Sequence, residues 1–555
     1  NPDILYTASY EKYRSAWNLE SGGPNSAIHK SLDGGKTWKK LSGGLPSGTI
    51  GRIGIDLCRK KPETVYAVIE NLNVRAGAAA NATTGGELYR SDDGGSNWRK
   101  MSRDQDDLGG KAAYSFNQLT VHPENPDRVF VTGVAIANSH DGGKTWDGLN
   151  FGQRKFFPGS FGDVRTFWID HQNPDRMLFG SDGGVHISYD AGKTCDYYDN
   201  FPVGEIYAIG IDNDEPYNVY AGLQDHDSWK GPSNGWSGMI TLENWVPVGS
   251  DDGMYNVVDP TDSRWVYNTG QFGIHRRVDQ KNGIRVNIEP KAKAGEAKFR
   301  YNWCTPLQIS PHDPAVIYTG SQFLMRSSDR GDSWQAISPD LTGNDPKRIN
   351  GKGHIQFCTI TTISESSLEK GLIWVGTDDG KVWITRDNGG NWKEVTTNIE
   401  KAGGPANKWV SRVLASNAAA GVAYVAKSGF RNDDFAPYLF KTTDYGNTWQ
   451  PVMQGLPQQP LNVVVEDKKN PQLLFAGHDA GVAISFNGGK NWRSLQGNMP
   501  MVPVHDQKIH PREKDLVAGT YGPGIWIADI SYLEEITDNF SPEAYLFNIE
   551  DKYYR

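Results

Sequence analysis

Apolar and polar residues alternate along this chain in short runs, and the alternation predicts β-strands almost throughout. One stretch shows the unit. Residues 50–56 (IGRIGID) alternate, and a polar turn holding Pro62 follows. Residues 64–70 (TVYAVIE) and 86–91 (GELYRS) read as the next two strands, and a short fourth begins at Trp98. Period-two runs broken by Gly, Pro and Asp predict antiparallel strands joined by tight turns. No apolar run approaches the 18 residues that a membrane-crossing helix needs.

Between the third and fourth strands stands an octet, Ser91-Asp92-Asp93-Gly94-Gly95-Ser96-Asn97-Trp98. It recurs from Ser31 to Trp38, Ser139 to Trp146, Ser327 to Trp334, Thr385 to Trp392 and Thr442 to Trp449. Two copies deviate: Ser188 to Cys195 ends in Cys, and Ser485 to Trp492 carries Asn487 in place of Asp. The pattern S/T-x-D-x-G-x-x-W describes a hairpin turn. Its Asp carboxylate and Ser/Thr hydroxyl accept hydrogen bonds from turn amides, Gly supplies positive φ, and Trp packs the turn against its own sheet. A second turn signal, between first and second strands, recurs at Asn125-Pro126, Asn173-Pro174, Asp259-Pro260, Asp313-Pro314 and Asn470-Pro471.

Four strands repeating every 40–60 residues predict a β-propeller. First strands fall near residues 50, 115, 164, 205, 254, 304, 356, 409, 461 and 504, about eleven units with a partial one at the start. The octets stop near residue 200, are missing from 204–245 and 250–281, and then return. The expected fold is therefore all-β, with two seven-bladed propellers in tandem. Residues 1–203 would be four blades of a first propeller that starts mid-blade at Asn1-Pro2-Asp3. Residues 204–530 would be a complete second propeller, and 531–555 a tail or linker. Four blades leave open edge strands, so an upstream domain or chain is expected to complete the first ring. A single ring of about ten blades is the alternative.

Composition narrows the partners. The net charge of −9 is spread without a basic stripe, which argues against nucleic-acid binding. The four cysteines form no CxxC pair, so no zinc or redox motif is expected. Cys304 and Cys358 occupy similar places in consecutive repeats and could pair, although free buried thiols are the favoured reading. No metal or cofactor is expected, apart from a structural Ca²⁺ held by Asp-rich loops, and no segment matches an EF-hand. Asn81-Ala82-Thr83 is a glycosylation sequon that matters only in a eukaryotic secretory host.

The octets resemble the Asp-box (BNR) repeats of sialidases, sortilin-type receptors and tandem-propeller xyloglucanases. Segments such as Tyr220–Asp225, Gly376–Gly380 and Gly522–Trp526 resemble a group of bacterial secreted proteins called sortilin-like or glycosyl-hydrolase-like. The resemblance implies an extracellular or periplasmic protein. Its octet aspartates are expected to be structural, because propeller ligands bind the opposite face, near the central channel. That face gathers the loops between second and third strands and the links between blades. It supplies Asp182, Gln224, Asp225, His226, Asp378 and Asp479 from those loops. Asp163, Arg165, Asp252, Arg412 and His505 come from first strands or their approaches.

The xyloglucanase resemblance implies one catalytic Asp per propeller, in a short Asp-x-Gly-Gly-like turn. Asp182 and Asp479 are the nearest local matches, and Asp225 the positional counterpart. Converging carboxylates suit acid–base hydrolysis, and Asp182, Asp225 and Asp252 are the candidates; turn-capping is the alternative. No arginine triad of the sialidase kind is recognisable. The insertion 229–245, with Trp229, Trp236 and Trp245, could stack on sugars or cover a blade edge. Two functions remain: a secreted recognition or scaffold protein for a polypeptide or polysaccharide, and a glycan-active hydrolase.

Overall fold

The computed structural model describes residues 1–74, 83–108, 113–149, 155–235, 237–495, 497–536, 545 and 547. It falls into two compact units, Asn1–Arg14 with Asn18–Phe201, and Ser15–Trp17 with Pro202–Arg555. Both are built from twisted antiparallel sheets whose strands follow one another in sequence.

Among its described residues the first unit holds four sheets of three or four strands, and a two-stranded ribbon pairs Tyr13–Arg14 with Leu19–Glu20. Two have four strands: Ile50–Cys58, Lys61–Val74, Thr83–Ser91 and Arg99–Lys100; and Val164–Ile169, Met177–Ser181, Gly184–Ser188 and Asp196–Tyr198. The other two have three each, and begin at Leu5–Ser9 and Gln118–Val121.

The second unit is a β-propeller of seven sheets, whose innermost strands are Gly204–Ile211, Asn256–Val258, Leu307–Ser310, Ile360–Glu365, Trp409–Ala415, Leu461–Glu466 and Val504–Ile509. Each innermost strand packs beside the next, and the last packs beside the first. The final sheet has three strands of its own. Its middle strand pairs with the first sheet, Glu205 opposite Tyr521 and Gly204 opposite Gly522, so the ring is closed by hydrogen bonds.

Side chains reinforce that closure. Asp506 Oδ2 accepts from Ile209 N at 3.0 Å, and Tyr217 donates to Asp515 Oδ2 at 2.9 Å. Arg512 donates to the carbonyls of Asn213 and Asp214, while the His510 ring stacks on Tyr217 at 4.1 Å. Apolar packing crosses the same seam, with Val517 set among Ile206, Ile209, Tyr217 and Val219.

The octets form the turns between third and fourth strands, and their chemistry is uniform. In Ser91–Trp98 the Ser91 hydroxyl donates to Asp93 and accepts from Gly95 N, while Asp93 accepts from Ser96 N and Asn97 N. These donors hold the Asp93 carboxyl down at about 2. Asn487 preserves the turn because one side-chain oxygen suffices: it accepts from Ser485 Oγ and Asn491 N. The tryptophans do more than pack their own sheet. Trp334, Trp392 and Trp492 each donate to a carbonyl just beyond the last strand of the preceding sheet, at Ile288, Ile337 and Val452. They therefore latch neighbouring blades together.

All four cysteines are free, so Cys304 and Cys358 form no bridge. The short helix Ser531–Glu535 packs back on the propeller, with Leu533 buried beside Leu473, Phe475 and Leu516 and Glu534 paired to Lys469 at 3.0 Å. Asn81 lies outside the described residues.

Two outcomes follow. Asp506→Ala removes the Ile209 acceptor and strands the Arg412 guanidinium, whose Nη2 lies 2.7 Å from Asp506. It should cost about 3–5 kcal/mol, read as a lowered urea midpoint for the tryptophan-fluorescence transition. His275 is fully buried between Gly273 O and Thr319 Oγ1, and burial holds its ring down at about 4. Its stability contribution is complete above the ordinary value near 6.5 and declines as pH falls toward 4, because only the unfolded ring then takes a proton. The His275→Gln variant should show a shallower loss of melting temperature between pH 7 and pH 4.5 than the parent.

Candidate functional site

A recurrent irregularity positions the candidate side chains. Six innermost strands shift register by one residue near their starts, skipping Arg165, Tyr207, Thr361, Ser411, Asn462 and His505. Such a bulge re-aims the skipped side chain. Around the second unit the re-aimed groups form a chain of staples. Thr361 donates to Val410 O, Ser411 to Leu461 O and Asn462 to Val504 O. His505 bonds to the Ile206 backbone. Each acceptor immediately precedes the next strand's skipped residue.

At Tyr207 the staple gives way to a polar network. Tyr207 donates to Gln224 Oε1 at 2.6 Å and accepts from Trp303 Nε1 at 3.0 Å. Burial pushes its hydroxyl up; the Trp303 donor opposes this, while Glu205 and Asp252 add to it. Gln224 reaches Asp225 Oδ2 at 3.4 Å, Asp225 N donates to Asp252 Oδ1 at 3.2 Å, and Asp252 N donates to Gln271 Oε1 at 3.1 Å. Asp225, Asp227, Asp251 and Phe272 all have left-handed backbones, with φ from 56° to 69°. Asp251 is ion-paired to Arg276 at 2.6 Å. Burial, followed by the charge of Asp251, raises the carboxyl of Asp227.

The structure thus brings Gln224, Asp225 and Asp252 together. His226 and Trp229 adjoin them, with Trp229 Nε1 donating to His226 O at 2.6 Å. His505 and Asp479 continue the same face. The His505 ring lies 4.9 Å from that of Tyr521, and Asp479 accepts from Asn462 at 2.9 Å. Burial lowers His505, and Asp479 partly offsets this.

Two candidates lie elsewhere in this unit. Asp378 is 2% exposed and accepts from Thr359 N, Thr359 Oγ1 and Asn302, so it holds a turn inside the protein. Burial pushes its carboxyl to about 8 despite those donors. Arg412 lies in the central channel, paired with Asp506. Trp236 is outside the described residues.

In the first unit the skipped residue is Arg165. Its Nε donates to Asp182 Oδ1 at 2.6 Å, its Nη2 to Asp182 Oδ2, and its Nη1 to Ser115 Oγ. The guanidinium lies 4.6 Å from the Phe116 ring centre. Asp182 is therefore one half of a bidentate ion pair. Asp163, at φ 57°, lines a cavity of 480 Å³ with Phe161, Ser160 and Tyr197. Burial and then the Asp182 charge raise its carboxyl, with Arg165 opposing.

Sequence reasoning missed Tyr207, Trp303, Gln271 and Lys508. Tyr207 did leave a signal: a buried apolar residue followed by an out-of-phase one, as in Ile206-Tyr207, Val410-Ser411 and Val504-His505. Trp303 and Gln271 sit in irregular links, where no period reports on them.

No family model matches the sequence. The chain is similar to xyloglucanase Xgh74A of Acetivibrio thermocellus, 24% identical over 92% of this chain and 63% of that protein. It thus spans less than two thirds of that relative's length. Solved structures similar to it include the Niastella koreensis GH74 enzyme, 11% identical with 86% of this chain and 83% of the other covered (TM-score 0.30). An ancestral GH74 enzyme is 12% identical, covering 95% and 83% (TM-score 0.30). The computationally designed Ika8 protein is also 12% identical, covering 68% and 98% (TM-score 0.36). Among the described residues no helix is long and apolar enough to cross a membrane.

Proposed function

We propose that this is a secreted Asp-box propeller protein that hydrolyses a polysaccharide of the xyloglucan type, with Asp225 and Asp252 as the acid–base pair. The observation that carries the reading is the pair of touching loops at 224–227 and 251–252. Across them the Asp225 backbone amide donates to the Asp252 carboxylate, and Asp225, Asp227 and Asp251 stand in left-handed backbone. Non-glycine residues adopt that conformation at a cost and persist in it where the surroundings enforce it, often at sites of function. Similarity to a xyloglucanase along 92% of the chain favours the same chemistry.

Hydrolysis of a glycosidic bond needs one carboxyl to protonate the leaving oxygen and one carboxylate to activate water or attack carbon. Two carboxyls from adjoining loops of one face suit that division. Tyr207, bonded to both Gln224 and Trp303, ties two aromatic side chains into the network that holds Asp225.

A recognition role is favoured at Asp182. Both Asp182 oxygens are taken up by the Arg165 guanidinium, and an Arg–Asp pair beside an aromatic cavity suits holding a sugar or peptide.

Asp225→Asn and Asp252→Asn should each lower reducing-sugar release from xyloglucan by ~10²–10⁴-fold. Asp329→Asn, in an octet turn, should leave it near the parent level. If the parent releases nothing from xyloglucan, mixed-linkage glucan or cellulose, the hydrolase reading fails. Retardation in glycan affinity gels would then support binding alone.

A further inference from the structure

The central channel of the second unit is lined by innermost strands of six of its seven sheets and encloses a cavity of 220 Å³. Its wall mixes apolar side chains, among them Ile211, Val257, Pro306 and Ile363, with polar groups. Into this wall are set two cations, Arg412 and Lys508.

Their charges are unequally matched. The carboxylate facing them is Asp506, which is 1% exposed. One of its oxygens accepts from Arg412 at 2.7 Å and the other from Ile209 N at 3.0 Å, so it is already committed. The Lys508 ammonium forms no hydrogen bond or ion pair with any described residue, although its backbone pairs with Val517 in the sheet. Arg412 has further N–H donors, and its Nε is buried with no partner. The channel therefore carries one positive charge in excess, in a place partly shielded from solvent. An unpaired charge in such surroundings is costly.

The other polar groups at the wall are neutral. The Tyr255 hydroxyl is pushed above its usual range by burial, Asn256 and Gln308 are amides, and Thr362 Oγ1 accepts from Val413 N. Burial also lowers the Lys508 ammonium; Asp506 opposes that shift and Arg412 adds to it. The whole favours a small anion that can accept from both cations at once. A tetrahedral or planar oxyanion does so, and 220 Å³ exceeds the space of one water, about 30 Å³, several-fold.

We propose that this channel is a binding site for a small oxyanion of the phosphate, sulfate or carboxylate kind, held between Lys508 and Arg412. It is separate from the face bearing Asp225 and Asp252 and does not depend on any reaction there. The bound anion would complete the charge balance of the ring's interior and tie the Trp409–Ala415 strand to the Val504–Ile509 strand.

The test uses the full chain at pH 7, with ionic strength held constant by a bulky organic sulfonate salt. Inorganic phosphate, sulfate and acetate are titrated separately by calorimetry and by thermal melting. The parent should bind at least one of them and melt higher in its presence, and the three arms show which geometry is preferred. Lys508→Met should weaken that binding at least tenfold; Lys291→Met, at an exposed ion pair, should not. Without anion, Lys508→Met should melt at or above the parent, since it removes an uncompensated charge, and it should gain nothing from added anion. Crystals grown with selenate should show anomalous density beside Lys508. Equal titrations of parent and Lys508→Met, or no anion-dependent heat or melting shift in the parent, would overturn the proposal.

Discussion

A ring of sheets must end where it begins, and everything in the second unit depends on how that seam is held. Its first and last sheets are separated by about 300 residues, so closing them carries a large loop-entropy cost that local contacts must offset. The seam has few paired positions on the main chain: Glu205 with Tyr521, Gly204 with Gly522, and a bridge from Gly204 to Pro523. Side chains supply the rest. Asp506 and Asp515 each accept across it, Arg512 and His510 reach the Asp212–Asp214 carbonyls, and Tyr217 stacks on His510. These partners form one connected patch, with each group fixing the orientation of the next.

The same requirement explains the bulges. An innermost strand lies beside two neighbours without sheet hydrogen bonds to either, so its edge groups need other partners. Skipping one residue turns a polar side chain sideways toward the next sheet, and Thr361, Ser411, Asn462 and His505 use it to bond the next strand's backbone. Where the device is used structurally, the side chain is spent. At Tyr207 the re-aimed group instead bonds to the side chains of Gln224 and Trp303. Arg165 is the first unit's version: its turned side chain grips Asp182 instead of a neighbouring backbone.

These relations decide how much was legible in the sequence. The strands and the octet turns were readable because both depend on contacts within a few residues, and periodicity records those directly. Asp93 and Asn487 make the same bonds the octet pattern implies. The role of the octet tryptophans was only half visible, because Trp334, Trp392 and Trp492 bond to carbonyls some 40–55 positions earlier. The candidate residues divide in the same way. Asp225 and Asp252 stood out as aperiodic acids in links, and the structure places them together. Asp378 looked identical in sequence, yet Thr359 and Asn302 enclose it; burial is a property of the neighbouring sheets, which a local motif does not encode.

Charge in the interior follows a similar logic. Several buried carboxylates here are paired with cations that reach toward the surface: Asp279 with Arg264, Asp106 with Arg103, Glu87 with Lys100. Such pairs tolerate burial because attraction offsets lost hydration. In the channel Asp506 divides its two oxygens between ring closure at Ile209 and the guanidinium of Arg412, leaving Lys508 without an ion-paired carboxylate of its own. Moving Asp506 to serve Lys508 would open the seam, and an apolar residue at position 508 would relieve the imbalance at no cost to the strand. A lysine at that position has a physical rationale when something negative fills the cavity. The strain of an unmatched charge is then the counterpart of binding, in the way the left-handed aspartates at 225, 227 and 251 are the counterpart of the face they form.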